Sequence, residues 1–214
     1  MHQNPVPEAN LTTPDLGPVA RQVGLLLSGV TDDRLAAPTP CPEYAVRDLL
    51  QHLLGLTAAF RAAADKEFGP ATATPPGSAP PAPLYDDWRR RLDRQLDELV
   101  TAWRRPAAWE GDTQAGGVTF PAADAGRVAL NELLIHGWDL ARATGQRYAP
   151  DEASLRVSID LMTPAEGDPE REAGPMFGPV VYVPDDAPAL DRAVGLSGRS
   201  PSWQPDPGAG GRAR

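Results

Sequence analysis

The fold is decided by a stretch in the second half of the chain, residues 131–145, which read NELLIHGWDLARATG. Most of its side chains are apolar, yet it places the carboxylate of Glu132 and the imidazole of His136 four positions apart. At 3.6 residues per turn, side chains with this spacing lie on one face of a helix. The stretch therefore predicts a helix over about 122–144 that presents two metal-ligand side chains together, and Gly145 is a typical residue for its end.

The predicted helix is apolar nearly all round, which is typical of a helix packed inside a bundle. One face carries residues at three- and four-residue steps: Ala125, Val128, Ala129, Glu132, Ile135, His136, Asp139, Leu140 and Ala143. A buried carboxylate without a partner is costly, so Glu132 requires a proton or a cation. A divalent metal shared with His136 would meet that requirement.

Apolar side chains at helical spacing also predict the other elements of an all-α fold. Thr13 and Pro14 have the residue types of a helix N-cap and first turn. Further helices are expected over about 14–28, 46–65, 84–103, 151–162 and 187–194, and Gly17 and Pro18 could delay the start of the first by a turn. A hairpin or irregular turn is expected within 109–121, and one strand or extended arm over 176–184.

The chain divides by composition into four parts. Residues 1–12 are expected to be a flexible leader, 13–165 a metal-binding helical bundle, 166–200 a short irregular C-terminal extension and 201–214 a disordered tail. Within the bundle, residues 69–83 are rich in Pro, Ala and Thr. We expect no packed element there, and either a semi-stiff connector or a mobile flap.

Charge and cysteine content exclude several classes of protein. The net charge is −9 and no basic stripe is present, which argues against nucleic-acid binding. No apolar run is long enough for a membrane span and no signal peptide is evident, so a cytoplasmic location is expected. Cys41 is the only cysteine, which excludes an intrachain disulfide and a cysteine-rich zinc site. We expect its thiol to be buried and unreactive.

A third candidate ligand comes from another helix. The chain has three histidines, and His52 lies one turn from Leu49 and Leu56, so it also points inward. Two imidazoles and one carboxylate, with no fourth protein ligand evident, form the ligand set of a catalytic zinc site. Iron, nickel and cobalt accept the same set. The alternative is that these are hydrogen-bonded core residues whose spacing arises by chance.

Asp139 lies three residues after His136 on the same face, and it is a candidate catalytic residue. It could orient an imidazole through the second ring nitrogen, or bind a donor group of a substrate. The alternative is a structural pair with an arginine such as Arg127 or Arg142.

Two segments carry a family resemblance. Residues 38–53, PTPCPEYAVRDLLQHL, and residues 132–145, ELLIHGWDLARATG, resemble the actinobacterial branch of the DinB-like metal-binding proteins, the branch related to mycothiol-dependent maleylpyruvate isomerase. The resemblance covers about residues 13–165, and the ending GRSPSW at 198–203 is also similar.

The resemblance implies an up-and-down four-helix bundle with a divalent metal, usually zinc, held by His52, Glu132 and His136. Members of this family use the metal to activate a low-molecular-weight thiol, mycothiol or bacillithiol, for transfer or for cis–trans isomerisation. The chain departs from the isomerase because it lacks an obvious full C-terminal domain. Its substrate and any arginine role are therefore not carried over.

The leading functional hypothesis is a metal-dependent thiol transferase or isomerase that uses mycothiol and a small electrophilic substrate. One alternative is a hydrolase or lyase of specialised metabolism that uses metal-bound water. Another is a non-catalytic metal-binding or small-molecule-binding module, which predicts a site sealed by side chains. The oligomeric state stays open, with a homodimer as one alternative.

Overall fold

The computed structural model describes residues 13–75, 78, 83–163 and 178–205. The predicted all-α fold is confirmed, since these residues contain seven α-helices and a single two-stranded antiparallel sheet. The elements are α1 (Gly17–Leu27), α2 (Val46–Ala64), α3 (Pro70–Ala73), α4 (Trp88–Trp103), β1 (Asp112–Ala115), β2 (Val118–Pro121), α5 (Ala122–Thr144), α6 (Glu152–Met162) and α7 (Ala189–Leu196). The expected leader, residues 1–12, lies outside the described residues.

The four long helices α1, α2, α4 and α5 form a bundle in which α1 and α2 each pack against both α4 and α5. Its core is mostly aliphatic, and the buried tryptophans Trp88 and Trp103 lie at opposite ends of α4. The indole nitrogen of Trp103 donates to the Phe60 carbonyl at 3.0 Å, so this buried ring also satisfies its polar atom. As expected, α5 is buried on nearly every side.

Two helices begin later than their apolar pattern suggested. Helix α1 begins at Gly17, and Asp15, rather than Thr13, accepts a hydrogen bond from the Gly17 amide at 2.9 Å. Helix α4 begins at Trp88. Leu84 lies in the loop before α4 and packs against the core. Its apolar side chain therefore extended the helical pattern in the sequence, although its backbone is not helical.

The expectation that nothing within 69–83 packs is wrong for its first part. Gly69 and Pro70 start the short helix α3, which places Thr72 in a fully buried position. The Thr72 hydroxyl donates to the side-chain oxygen of Gln114 at 3.0 Å. The backbone carbonyl of Thr72 accepts from the Gly117 amide at 2.8 Å. Helix α3 therefore docks on the β1–β2 hairpin. Residues 76, 77 and 79–82 lie outside the described residues.

The C-terminal part packs outward from the bundle, with α6 against α5 and α7 against α6. The described part of the expected strand, 178–184, forms no strand, although the Val181 amide donates to the Gly195 carbonyl at 3.0 Å. Residues 201–205, expected to be disordered, are held in place because Arg142 donates to the Trp203 carbonyl. Residues 164–177 and 206–214 lie outside the described residues. Within the described part of the chain, no helix is both long and apolar enough to span a membrane.

Candidate metal centre

Helix α5 carries two of the three candidate ligands. Its start is set by the hairpin, because the Ala122 amide donates to the Gly111 carbonyl at 2.8 Å. From there the helix runs without interruption to Gly145, whose φ of 71° ends it in the left-handed conformation. Glu132 and His136 lie one turn apart on it, as the sequence predicts.

The third candidate, His52, comes from α2, and the loop before this helix positions a tyrosine beside it. The loop is folded around Thr39, whose hydroxyl donates to the Tyr44 carbonyl at 2.7 Å and accepts from the Cys41 amide at 3.2 Å. The ring of Tyr44 then lies with its centroid 5.2 Å from that of His52 and 6.3 Å from that of His136. Its hydroxyl is 3.5 Å from Nδ1 of His52.

The three predicted side chains converge. Nε2 of His52 and Nε2 of His136 each lie 3.3 Å from Oε2 of Glu132, and one ligand atom from each residue falls within 4.8 Å of the others. Ligands at about 2.1 Å from a tetrahedral ion are about 3.4 Å apart. The spacing of the three atoms therefore fits a shared divalent cation.

Electrostatics at the site favour positive charge. Burial alone would raise the pKa of Glu132, but hydrogen bonds and charge from His136 and His52 hold it well below its usual range. Burial likewise disfavours a charged His136, yet its contacts with Asp139 and Glu132 outweigh that effect and raise its pKa to about 9. Two carboxylates around one imidazole thus stabilise a cation, which a bound metal can replace.

Asp139 lies behind His136, away from Glu132. Its side chain is fully buried, and Oδ2 accepts a hydrogen bond from Nδ1 of His136 at 2.9 Å. With the Nδ1 proton directed at Asp139, Nε2 is the nitrogen that a metal would take in exchange for the second ring proton, the arrangement common in proteins where a carboxylate orients a histidine ligand. The geometry suits orientation of the ring rather than contact with a substrate.

The expected structural pairing of Asp139 also occurs, but with another arginine. Arg127 pairs with Asp124 at 2.8 Å, and Arg142 donates to the Trp203 carbonyl. The partner is Arg199, whose Nε donates to Oδ1 of Asp139 at 2.8 Å. Asp139 therefore contacts both an imidazole and an arginine.

Tyr44 and Arg199 were not predicted as site residues. Both lie within segments that carry the family resemblance, and that was the available signal. Cys41 is not among the three converging ligands. Burial raises the pKa of its thiol, and Asp139 raises it further against the opposing charge of Arg199. The thiol is therefore neutral near pH 7, but Cys41 is partly exposed rather than buried as expected.

Most of the bundle matches a known protein family. Residues 16–141 match the family described as the mycothiol maleylpyruvate isomerase N-terminal domain. An uncharacterized protein of Mycobacterium tuberculosis (strain ATCC 25618 / H37Rv) is 28% identical over 186 residues, covering 82% of this chain and 90% of the relative. A second uncharacterized protein of the same strain is 30% identical over 148 residues, covering 61% of this chain and 55% of the relative.

Solved structures agree on the fold. The crystal structure of the mycothiol-dependent maleylpyruvate isomerase superposes with a TM-score of 0.52 at 21% identity, covering 72% of this chain and 70% of that chain. A histidine-to-alanine mutant of the same enzyme gives a TM-score of 0.51 with the same identity and coverage. The likeness supports the DinB-like bundle predicted from the sequence.

Proposed function

Because the chain belongs to the family of the mycothiol maleylpyruvate isomerase N-terminal domain, we propose that it is a metal-dependent enzyme that activates a low-molecular-weight thiol. Mycothiol is the proposed co-substrate, and the reaction is S-transfer to, or cis–trans isomerisation of, a small electrophile. The related isomerase is described as mycothiol-dependent, which supports a thiol as the co-substrate. The observation that carries the proposal is the convergence of His52, Glu132 and His136 on one point.

Three protein ligands leave coordination positions open, which suits a catalytic site. A bound divalent metal, proposed to be zinc, would supply the Lewis acidity that lowers the pKa of a coordinated thiol. The protein's own part is to hold the ligands: Asp139 keeps the proton on Nδ1 of His136, and the Glu132 carboxylate lies between the two rings. The same ligand set also accepts nickel, iron or cobalt in place of zinc.

The exposure of the site supports an enzyme over a sealed binding module. The side chains of His52 and Glu132 are 23% and 19% exposed, whereas His136 is 9% exposed and Asp139 is fully buried. The ligands are therefore accessible from one side and closed on the other. We propose that a thiol would approach the metal position from the side on which His52 and Glu132 are exposed.

Metal binding is tested by measuring the metal content and zinc affinity of the wild type and of Glu132→Gln. The exposed helical Glu98 provides the matched control, Glu98→Gln. We expect about one metal per chain in the wild type and control, and affinity lower by more than about a hundredfold in Glu132→Gln. Equal affinity in all three proteins would contradict the proposed ligands.

Thiol use is tested separately by calorimetric titration of the zinc-loaded protein with mycothiol. We expect saturable binding that disappears in the metal-free protein. Absence of binding to the loaded protein would contradict the thiol proposal while leaving the metal site intact. Turnover that does not depend on a thiol would instead favour the hydrolase or lyase that uses metal-bound water.

A further inference from the structure

The segment after α7 reaches back to α5 and contacts it beside the candidate metal centre. We propose that Arg199, in this segment, is a positioning residue that holds Asp139 and through it fixes His136 for metal binding. This inference rests on the proposed function, since it assumes that His136 is a metal ligand. It makes residues 197–203 part of the metal centre, although none of them is a ligand.

The contact between Arg199 and Asp139 is extensive. Nε of Arg199 donates to Oδ1 at 2.8 Å, and Nη2 donates to Oδ2 at 2.9 Å. Such two-point pairing fixes the plane of the carboxylate as well as its position. The remaining nitrogen, Nη1, donates to the Ser197 carbonyl at 3.0 Å. All three guanidinium nitrogens therefore have partners within the protein, which favours a positioning role over binding a substrate anion.

Asp139 needs this partner because it is fully buried. Oδ2 serves both Nη2 of Arg199 and Nδ1 of His136, at 2.9 Å each. Without the guanidinium, Oδ1 of this buried carboxylate would lose its hydrogen-bond partner, and the side chain would be free to rotate. Rotation weakens its hold on the Nδ1 proton and allows the His136 ring to turn. The orientation of Nε2 towards Glu132 thus depends on a residue sixty positions further along the chain.

The backbone around Arg199 is fixed by α7. The Arg199 amide donates to the Val194 carbonyl at 3.1 Å, and Gly198 adopts a φ of +82°, which a side chain would disfavour. A Cβ at Gly198 would also lie 2.7 Å from the Cα of Gly178. The end of α7 therefore fixes the position of the Arg199 guanidinium. Farther along, Arg142 holds the same segment through the Trp203 carbonyl without touching Asp139.

The two arginine contacts supply a matched pair of variants. Arg199→Met removes the contact with Asp139, whereas Arg142→Met removes the contacts with the Trp203 carbonyl and the Trp138 ring and leaves Asp139 paired. Zinc affinity is measured by competition with a chelator, and the visible absorption of the cobalt-loaded protein reports the ligand geometry. We expect Arg199→Met to weaken zinc binding about 10- to 100-fold and to alter the cobalt spectrum. Arg142→Met is expected to change affinity by less than about threefold and to keep the spectrum.

A double variant separates positioning from general loss of structure. If Arg199 acts through Asp139, then adding Arg199→Met to Asp139→Asn weakens binding no further than Asp139→Asn alone. If the Met variant does not fold, Arg199→Lys carries the same test: it keeps the charge but loses the two-point contact, and intermediate affinity is expected. Wild-type affinity in the Arg199 variants, or independent effects in the double variant, would overturn the inference alone. Failure of the wild type to bind zinc would overturn the proposed function with it.

Discussion

Among single residues, Gly137 shows how closely the chain packs around the site. It follows His136 on α5, and the chain returns over it after the helix ends. A Cβ at Gly137 would lie 2.6 Å from the hydroxyl oxygen of Tyr148 and 2.8 Å from its Cζ. Helix interiors disfavour glycine, so its presence here reflects the need for space beside the tyrosine ring.

We expect Gly137→Ala to lower the free energy of unfolding by about 1–3 kcal/mol, because the ring or the helix must shift. Gly55, inside α2, has nothing within 4 Å of an added Cβ and serves as the control. Gly55→Ala should raise stability by about 0.5–1 kcal/mol through helix propensity. Urea unfolding of the metal-free proteins measures both. Stabilisation by both substitutions would show that Tyr148 does not press on α5.

The candidate ligands could be predicted because their signals are local. The four-residue spacing of Glu132 and His136 places them on one helix face whatever surrounds the helix. The apolar neighbours of His52 indicate its inward direction in the same way. Arg199 gives no such signal, since its contact with Asp139 spans sixty residues and depends on how α7 packs. Tyr44 reaches His52 from a loop whose path is set by hydrogen bonds to Thr39.

Helices α1 and α4 are linked at their ends by Asp15. Besides capping the Gly17 amide at 2.9 Å, its carboxylate pairs with Arg104 at 3.3 Å, just after the last turn of α4. Burial would raise the pKa of Asp15, but the Gly17 amide and Arg104 outweigh it and lower the pKa. A carboxyl whose pKa is lower in the folded state stabilises the fold above its unfolded pKa. That contribution is lost as the pH falls through the folded value.

We expect Asp15→Asn to cost about 0.3–1 kcal/mol at pH 7, because the amide keeps a hydrogen-bond acceptor but loses the charge. The difference from the wild type should shrink as the pH falls below the ordinary aspartate range and the wild-type carboxyl becomes protonated. Urea unfolding at several pH values measures it. Asp97→Asn is the control, since among the described residues the exposed Asp97 shows no ion pair. A difference that grows on acidification would contradict this role of Asp15.

Helix positions were predictable to within a few residues where an apolar stripe continues to the helix end, as in α2 and α5. Helix α3 was not predicted, because its segment is rich in proline and threonine. Such a composition gives no apolar stripe at helical spacing. Its order depends on contacts with the hairpin, which Thr72 makes through both its hydroxyl and its carbonyl. Such elements are specified by tertiary partners rather than by local propensity.

The packing of the helices into a bundle follows from hydrophobic patterning. The candidate metal centre depends instead on contacts between segments that are far apart in the chain. His52 on α2 and Glu132 on α5 are eighty residues apart in the chain, and their side chains meet at 3.3 Å. A metal bound there would join two helices of the core. It would bind the folded chain far better than an unfolded chain in which the ligands are separated.

Metal binding should therefore raise the melting temperature of the whole protein. At a free zinc concentration of 100 times the dissociation constant, binding adds about 2.7 kcal/mol to the free energy of unfolding, which for a chain of this length is roughly 5–10 °C. Scanning calorimetry of the metal-free protein, with and without added zinc, measures the shift. Glu98→Gln should show the same shift as the wild type, and His52→Ala should show little of it. An equal shift in His52→Ala would mean that zinc stabilises the fold from some other place, and the two-helix site would then be wrong.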